Sequence, residues 1–210
     1  MDIAEISRQF ISGLKQTGWL EAIAVVSGIA SVWFSKRENI LVYPVGLVNT
    51  IFYTYLSFNS HLLGEAAVNL YYTVMSLWGW YLWSSKDSYK RPLLHISFST
   101  GGEKAFQFAF FAGLYAIIFV LLTYLKKSFA EGAIPWADAL ASASAFTGMY
   151  LMAKKKVESW YWWIVTNIAS IPLYFVKGFV FTSVYYLVLL VLAISGLQSW
   201  KNKATHGRTS

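Results

Sequence analysis

Seven long apolar runs divide the chain, at roughly 19–35, 40–57, 62–83, 104–125, 135–153, 158–176 and 180–199. Each approaches the length of about 20 mostly apolar residues that a helix needs to cross a hydrocarbon core. The slightest break, Phe58-Asn59-Ser60-His61, separates the second run from the third. Ahead of the first run, Ile3, Ile6, Phe10 and Leu14 recur at helical spacing among polar residues. That pattern predicts a short amphipathic helix lying at a membrane interface. The start of the chain has no basic stretch followed by an apolar one, so it does not read as a signal peptide. The alternating segments of a β-barrel do not occur either. The pattern predicts an all-α membrane protein with seven transmembrane helices.

Composition supports the same class. Of 210 residues, 57% are hydrophobic and only 13% charged, about half the charge of an ordinary soluble domain. With no cysteine, the chain has no disulfide framework and no thiol chemistry. His61, His95 and His206 are scattered, without metal-ligand spacing. The net charge of +7 would suggest nucleic acid in a soluble protein. Here the basic residues flank the apolar runs and set topology instead. With the N-terminus outside, the inner side receives Lys36, Arg37, Lys86, Lys90, Arg91, Lys104, Lys154, Lys155, Lys156, Lys201, Lys203 and Arg208. The outer side receives Arg8, Lys15, Lys126, Lys127 and Lys177. Twelve basic residues against five predict N-out and C-in.

The chain carries an internal duplication. Tyr53 matches Tyr174 at an offset of 121, and Gly79 and Trp83 match Gly196 and Trp200 at 117. Each half has three runs, a basic cluster after the first, and a Gly-x-x-x-Trp at the end of the third. Two three-helix units in direct succession would be inverted. The extra run at 104–125 turns the chain once more and makes the units parallel. A 3+1+3 parallel repeat is a transporter arrangement, with substrate held near the midplane between the halves. The predicted segments are an interfacial helix at 1–18, a first unit at 19–83 and a linker with the fourth span at 84–134. A second unit follows at 135–201, then a cytoplasmic tail at 202–210.

Polar groups inside spans are costly and mark function. Glu21 and Asp138 lie near span starts, where a carboxylate favours the helix N-terminus. Lys177 lies at a span end, where it would snorkel. Glu65 and Asn69 are four apart and share a helix face with Tyr72. Trp160, Trp163 and Asn167 share another face, two indoles beside an amide. Asn49, Tyr53 and Tyr174 complete the candidate substrate contacts. Indole faces attract a cation, and Asn offers both donor and acceptor to a carboxamide or sugar hydroxyl. Trp78, Trp80, Trp83, Trp160, Trp162, Trp163 and Trp200 cluster near run ends, where the ordinary role of Trp is to anchor the span at the interface. No GxxxxGK loop, paired carboxylates or Ser/His arrangement appears, which argues against an ATP-driven carrier and against an enzyme. No Arg lies within a run, so no binder for a phosphorylated substrate is evident. No cofactor and no metal are expected.

These motifs resemble the PnuC family of bacterial vitamin transporters, whose best-known members carry nicotinamide riboside. The resemblance covers about residues 19–201. It rests on Arg37-Glu38-Asn39-Ile40 with Tyr43-Pro44-Val45-Gly46, on Gly79-Trp80-Tyr81-Leu82-Trp83 and on Trp136-Ala137-Asp138. It rests also on Lys155-Lys156-Val157-Glu158-Ser159-Trp160-x-x-Trp163-x-x-x-Asn167 and Leu173-Tyr174-x-x-Lys177-Gly178. Three positions depart from it. Leu41-x-Tyr43-Pro44 stands where riboside carriers usually read Trp-x-Trp-Pro, Asn69 stands for a Gln, and Glu65 for an Asp.

The resemblance implies a fold related to the sugar-transporting SWEET proteins and a homotrimer in the bacterial inner membrane. It implies uptake of nicotinamide riboside by facilitated diffusion, with a cytoplasmic kinase phosphorylating and trapping the vitamin. Thiamine, or riboflavin, is the alternative substrate. A membrane enzyme or accessory subunit, with the Trp residues as lipid belts, is the alternative outside transport.

Overall fold

The apolar runs become helices whose ends fall at Gly, Pro and charged residues. The computed structural model describes residues 3–16, 18–59, 63–129 and 132–206. These form eight helices: α1 (Ile3–Gln16), α2 (Trp19–Lys36), α3 (Val42–Asn59), α4 (Leu63–Ser84), α5 (Gly101–Phe129), α6 (Pro135–Ala153), α7 (Ser159–Val176) and α8 (Val180–His206). No strand occurs among the described residues. Pro135 opens α6, where its missing N–H costs nothing and its fixed φ suits the first turn. Gly178 follows α7 at φ 82°, the left-handed conformation in which glycine closes a helix without a Cβ clash. By length and composition, residues 101–124 and Val180–His206 are long and apolar enough to cross a membrane.

Sequential neighbours pack together: α2 with α3, α3 with α4, α6 with α7, and α7 with α8. Between these groups, α2 meets α8 and α4 meets α6, while α5 packs on α6 and α1 on the start of α8. Phe10 and Phe181 make the α1–α8 contact, with ring centroids 5.8 Å apart. The linker between α4 and α5 is an ordered strap. Ser97 donates its N–H to Lys155 O at 3.1 Å and accepts from Val157 N at 3.0 Å. Both the N–H and the hydroxyl of Ser99 donate to Glu158 Oε2 at 2.9 Å. Trp162 then donates to Gln107 Oε1 at 2.9 Å, beneath Phe108 and Phe111 of α5.

At the Lys/Arg-rich end the two groups of helices interlock reciprocally. Trp83 of α4 donates its indole N–H to Ala153 O, the last residue of α6, at 3.2 Å. Trp200 of α8 donates to Ser35 O, at the end of α2, at 3.0 Å. Ser35 Oγ donates to Met152 Sδ at 2.9 Å, across a sequence separation of 117. Glu38 and Lys155, also 117 apart, form an ion pair at 2.9 Å. Both are left-handed, at φ 59° and 52°. Lys203 reaches the same carboxylate at 3.0 Å.

Three details differ from the sequence reading. The final helix does not end near 201: it runs to His206, because Ala204 is buried and Lys203 is held by Glu38. Lys177 does not snorkel freely but donates to both Asp138 oxygens at 2.7 and 2.9 Å. Asp138 also accepts Ile134 N–H at 2.7 Å, which holds the carboxylate at the α6 N-terminus. Trp83, Trp160, Trp162 and Trp200 are buried among helices rather than arrayed as a belt.

Burial opposes the charge on Glu38, but the hydrogen bonds and charges of Lys155 and Lys203 outweigh it and hold the carboxyl below its ordinary value. An acid depressed on folding contributes stability that is present above its unfolded pKa and is lost as pH falls through the folded one. Acidification below the ordinary carboxylate range, about 4.3, is therefore expected to lower the melting temperature through this group. Melts of the protein and of Glu38→Gln from pH 7 to 3 check it, with a shallower slope in the variant as the expected result.

Candidate functional site

The candidate substrate residues come from α3, α4, α7 and, unforeseen, α8. Tyr72 of α4 faces Trp163 of α7 across the two groups, with ring centroids 6.3 Å apart and planes inclined by 42°. Phe146 of α6 stands 6.0 Å from Tyr72, and its carbonyl accepts the Tyr71 hydroxyl at 3.1 Å. Trp163 lies against Gly148: a Cβ there would come within 3.3 Å of the indole, so α6 and α7 approach closely at this level. Asn167, one turn beyond Trp163, is 3% exposed.

Opposite, Asn49 of α3 donates to Ala24 O of α2 at 2.6 Å. The Tyr185 hydroxyl of α8 converges on the same point. A Cβ on Gly28 would lie 2.5 Å from Tyr185 Oη and 2.9 Å from Asn49 Nδ2. Only a glycine lets α2, α3 and α8 meet here. Tyr185 meets Tyr186 edge-on, with ring centroids 5.7 Å apart. Tyr186 stacks on Tyr174, with centroids 5.2 Å apart. Thr50 and Thr73 join α3 to α4, hydroxyl to hydroxyl, at 2.9 Å, and Thr73 also donates to Asn69 O.

Of the candidates, Tyr72 and Trp163 thus face each other, Asn49 meets Tyr185 at Gly28, and Tyr174 stacks on Tyr186. Trp160 stands elsewhere. It is 1% exposed, lies on Gly196 and meets Trp200 edge-on, with centroids 5.6 Å apart, at the interlocked end. The Glu65 side chain lies outside the described residues, as do the Glu21 side chain and His61. Sequence reasoning missed Phe146, Tyr185 and Tyr186. The repeat offset of 117 held a signal for one of them, because it carries Asn69 onto Tyr186.

Chemically, the site offers ring faces, hydroxyls and amides. No Lys or Arg falls between 41 and 85, between 157 and 176, or between 178 and 200. Among the described residues, no three His, Cys, Asp or Glu side chains gather as metal ligands. Such a surface holds a flat molecule by stacking and hydrogen bonds, with no charge to receive a phosphate.

Comparison with known proteins places the chain among vitamin transporters. The nicotinamide riboside transporter PnuC of Escherichia coli is 24% identical over 206 residues, covering 89% of this chain and 86% of that protein. The riboflavin/roseoflavin transporter RibM of Streptomyces davaonensis is 24% identical over 184 residues, covering 87% and 84%. The crystal structure of the vitamin B3 transporter PnuC shares the fold, with a TM-score of 0.73 at 22% identity, over 97% of this chain and 90% of that one. The model of the nicotinamide mononucleotide transporter family matches residues 18–202. The chain therefore belongs to this family, the PnuC family, whose members are membrane transporters and not enzymes.

Proposed function

We propose that this protein takes up nicotinamide riboside across the bacterial inner membrane by facilitated diffusion, with a cytoplasmic kinase trapping the vitamin as its phosphate. The observation that carries this reading is the Tyr72–Trp163 pair, two rings from opposite halves 6.3 Å apart, beside the buried amide of Asn167. A planar guest between two rings needs faces about 7 Å apart, twice the carbon contact distance. The pair parts slightly to admit it. The pyridinium cation stacks on the indole, while Asn167, Asn69 and Asn49 serve the carboxamide and ribose. Tyr53 and Tyr174 line the same path, and Glu65, four residues before Asn69 in the sequence, is the candidate carboxylate of α4. Although the family bears the name of the mononucleotide, the span interiors hold no Lys or Arg for its phosphate, which favours the riboside.

The architecture we infer is seven spans in a 3+1+3 parallel repeat, N-out and C-in, assembled as a homotrimer. Several observations support the repeat. Tyr43 lies on Gly79 and meets Trp83 edge-on with centroids 5.2 Å apart, as Trp160 lies on Gly196 and meets Trp200 at 5.6 Å. All three pairs of equivalents are separated by 117. The reciprocal Trp83–Ala153 and Trp200–Ser35 bonds follow the same symmetry to within one residue, Ala153 being the equivalent of Lys36.

A second reading, riboflavin, is favoured by the equal identity to RibM. A thermal-shift panel of nicotinamide riboside, thiamine, riboflavin and their phosphates separates them. Nicotinamide riboside at 100 times its dissociation constant is expected to add about 2.7 kcal/mol of stability, with its phosphate inert. A shift with riboflavin or thiamine alone would transfer the assignment to that vitamin.

A further inference from the structure

The interlocked end contains two polar atoms that the rest of its packing does not satisfy. Tyr43 Oη and Trp160 Nε1 are fully buried and have no hydrogen-bond partner among the described residues. Both residues are 1% exposed. They occupy equivalent positions, each ring lying on the glycine of a Gly-x-x-x-Trp and edge-on to its tryptophan. An orphan at one place would be an accident of packing. The same orphan at both equivalent places, at the end where the two halves are tied by indole–carbonyl bonds and ion pairs, is a property of the device.

We infer that this end is the cytoplasmic gate of the transport cycle, seen closed, and that Tyr43 and Trp160 set how readily it opens. This rests on the N-out, C-in, two-half architecture above. The Trp83–Ala153, Trp200–Ser35 and Glu38–Lys155 links hold the gate shut. Closure buries the two donors unpaired, an unfavourable state that ends when opening brings water or substrate to them. A gate held only by its links would stay shut, and one without them would not seal. The orphans offset part of the links, so closed and open states lie near enough in free energy to exchange. Titration enters through one group on this surface, Glu38, faced by Lys155 and Lys203.

Because the chain has no cysteine, a single reporter reads the gate directly. Ser35→Cys, at a position buried in the closed end, is labelled in inverted membrane vesicles with an impermeant maleimide. Ala153→Cys serves as an independent second reporter. Tyr43→Phe removes the orphan hydroxyl and keeps the ring. It is expected to slow labelling about tenfold, the effect of about 1.4 kcal/mol on the open population, and to raise the melting temperature. Glu38→Gln should speed labelling. Labelling in Tyr43→Phe as fast as in its parent would overturn the inference. So would no labelling of either reporter in any folded variant, with full labelling after denaturation. No vitamin is involved, so a wrong substrate leaves these results intact. Labelling only from the outer face would refute the sidedness and leave the Tyr43→Phe comparison standing.

Discussion

Asn167→Ala is expected to abolish saturable uptake, lowering Vmax/KM by about 100-fold or more, while the protein still folds and inserts. The Asn167 side chain is nearly sealed from solvent and belongs to α7, whose other buried polar groups are the small hydroxyls of Ser159, Thr166 and Ser170. Thr166 bonds back to Trp162 O at 2.9 Å, which occupies its hydroxyl locally. Among these groups only the amide carries two N–H donors beside a carbonyl acceptor, so it can donate to a substrate carbonyl and accept from its amide or hydroxyls at once. Removing it leaves those substrate groups unpaired in a low-dielectric site, where the loss is largest. Truncation to Ala opens little volume, so the fold survives. Trp163→Ala should also eliminate uptake, but it removes an indole packed on Gly148, and a cavity of that size costs about 3–5 kcal/mol. Trp163→Phe separates the two effects. Counterflow of radiolabelled nicotinamide riboside in proteoliposomes, with melting measured on the same preparations, decides the matter. Unchanged uptake in Asn167→Ala would refute its place in the site.

Gly196→Val is expected to destabilise the fold by overpacking rather than by opening a cavity. A Cβ at Gly196 would stand far inside the van der Waals contact distance of three Trp160 ring carbons. Trp160 has nowhere to go, since it is enclosed and abuts Trp200. Overpacking a filled core costs about 1–3 kcal/mol and sometimes more. Intrinsic propensity pulls the other way, because leaving glycine inside a helix gains up to about 1 kcal/mol. The steric term wins. The melting temperature should fall by about 2–8 °C, taking a net cost of about 1–2 kcal/mol and about 2–4 °C per kcal/mol for a chain of this size. Gly79→Val should act alike through Tyr43, whose hydroxyl lies 2.5 Å from the added carbon. Combining Gly196→Val with Trp160→Phe should recover part of the loss. A double variant as unstable as the sum of its parts would show that the clash is not the cause.

Much of the fold was legible because hydropathy and helical length are properties of contiguous sequence. The apolar runs near 19–35, 40–57, 62–83, 135–153 and 158–176 each correspond to one helix. What escaped was decided by distant packing. Lys201 and Lys203 look like the end of a run, yet α8 continues because Ala204 packs into the core and Lys203 finds Glu38. The buried tryptophans look like interfacial anchors, because position near a run end is all that sequence offers. Their carbonyl and glycine partners lie in other helices. Within the candidate site, Trp163 and Asn167 were legible because their chemistry stands out from an apolar background. It was illegible where it does not. Tyr185 and Tyr186 sit in a plain apolar stretch, and only the approach of α8 to Gly28 and Asn49 gives Tyr185 a polar neighbourhood.

The Glu38–Lys155 pair bears on ancestry. In an assembly of two identical halves, each position on the symmetry axis faces a copy of itself. A carboxylate would then face a carboxylate, or an ammonium an ammonium, and repel. Trp83 and Trp200, with centroids 6.0 Å apart, are what such a self-facing position permits, since an aromatic tolerates its own kind. On the two-half architecture proposed above, opposite charges at equivalent left-handed positions become available only once duplication lets the two copies mutate separately. The ion pair then records a step that a homodimeric ancestor could not have taken, and a chain that has taken it can no longer exchange one half for a second copy of the other.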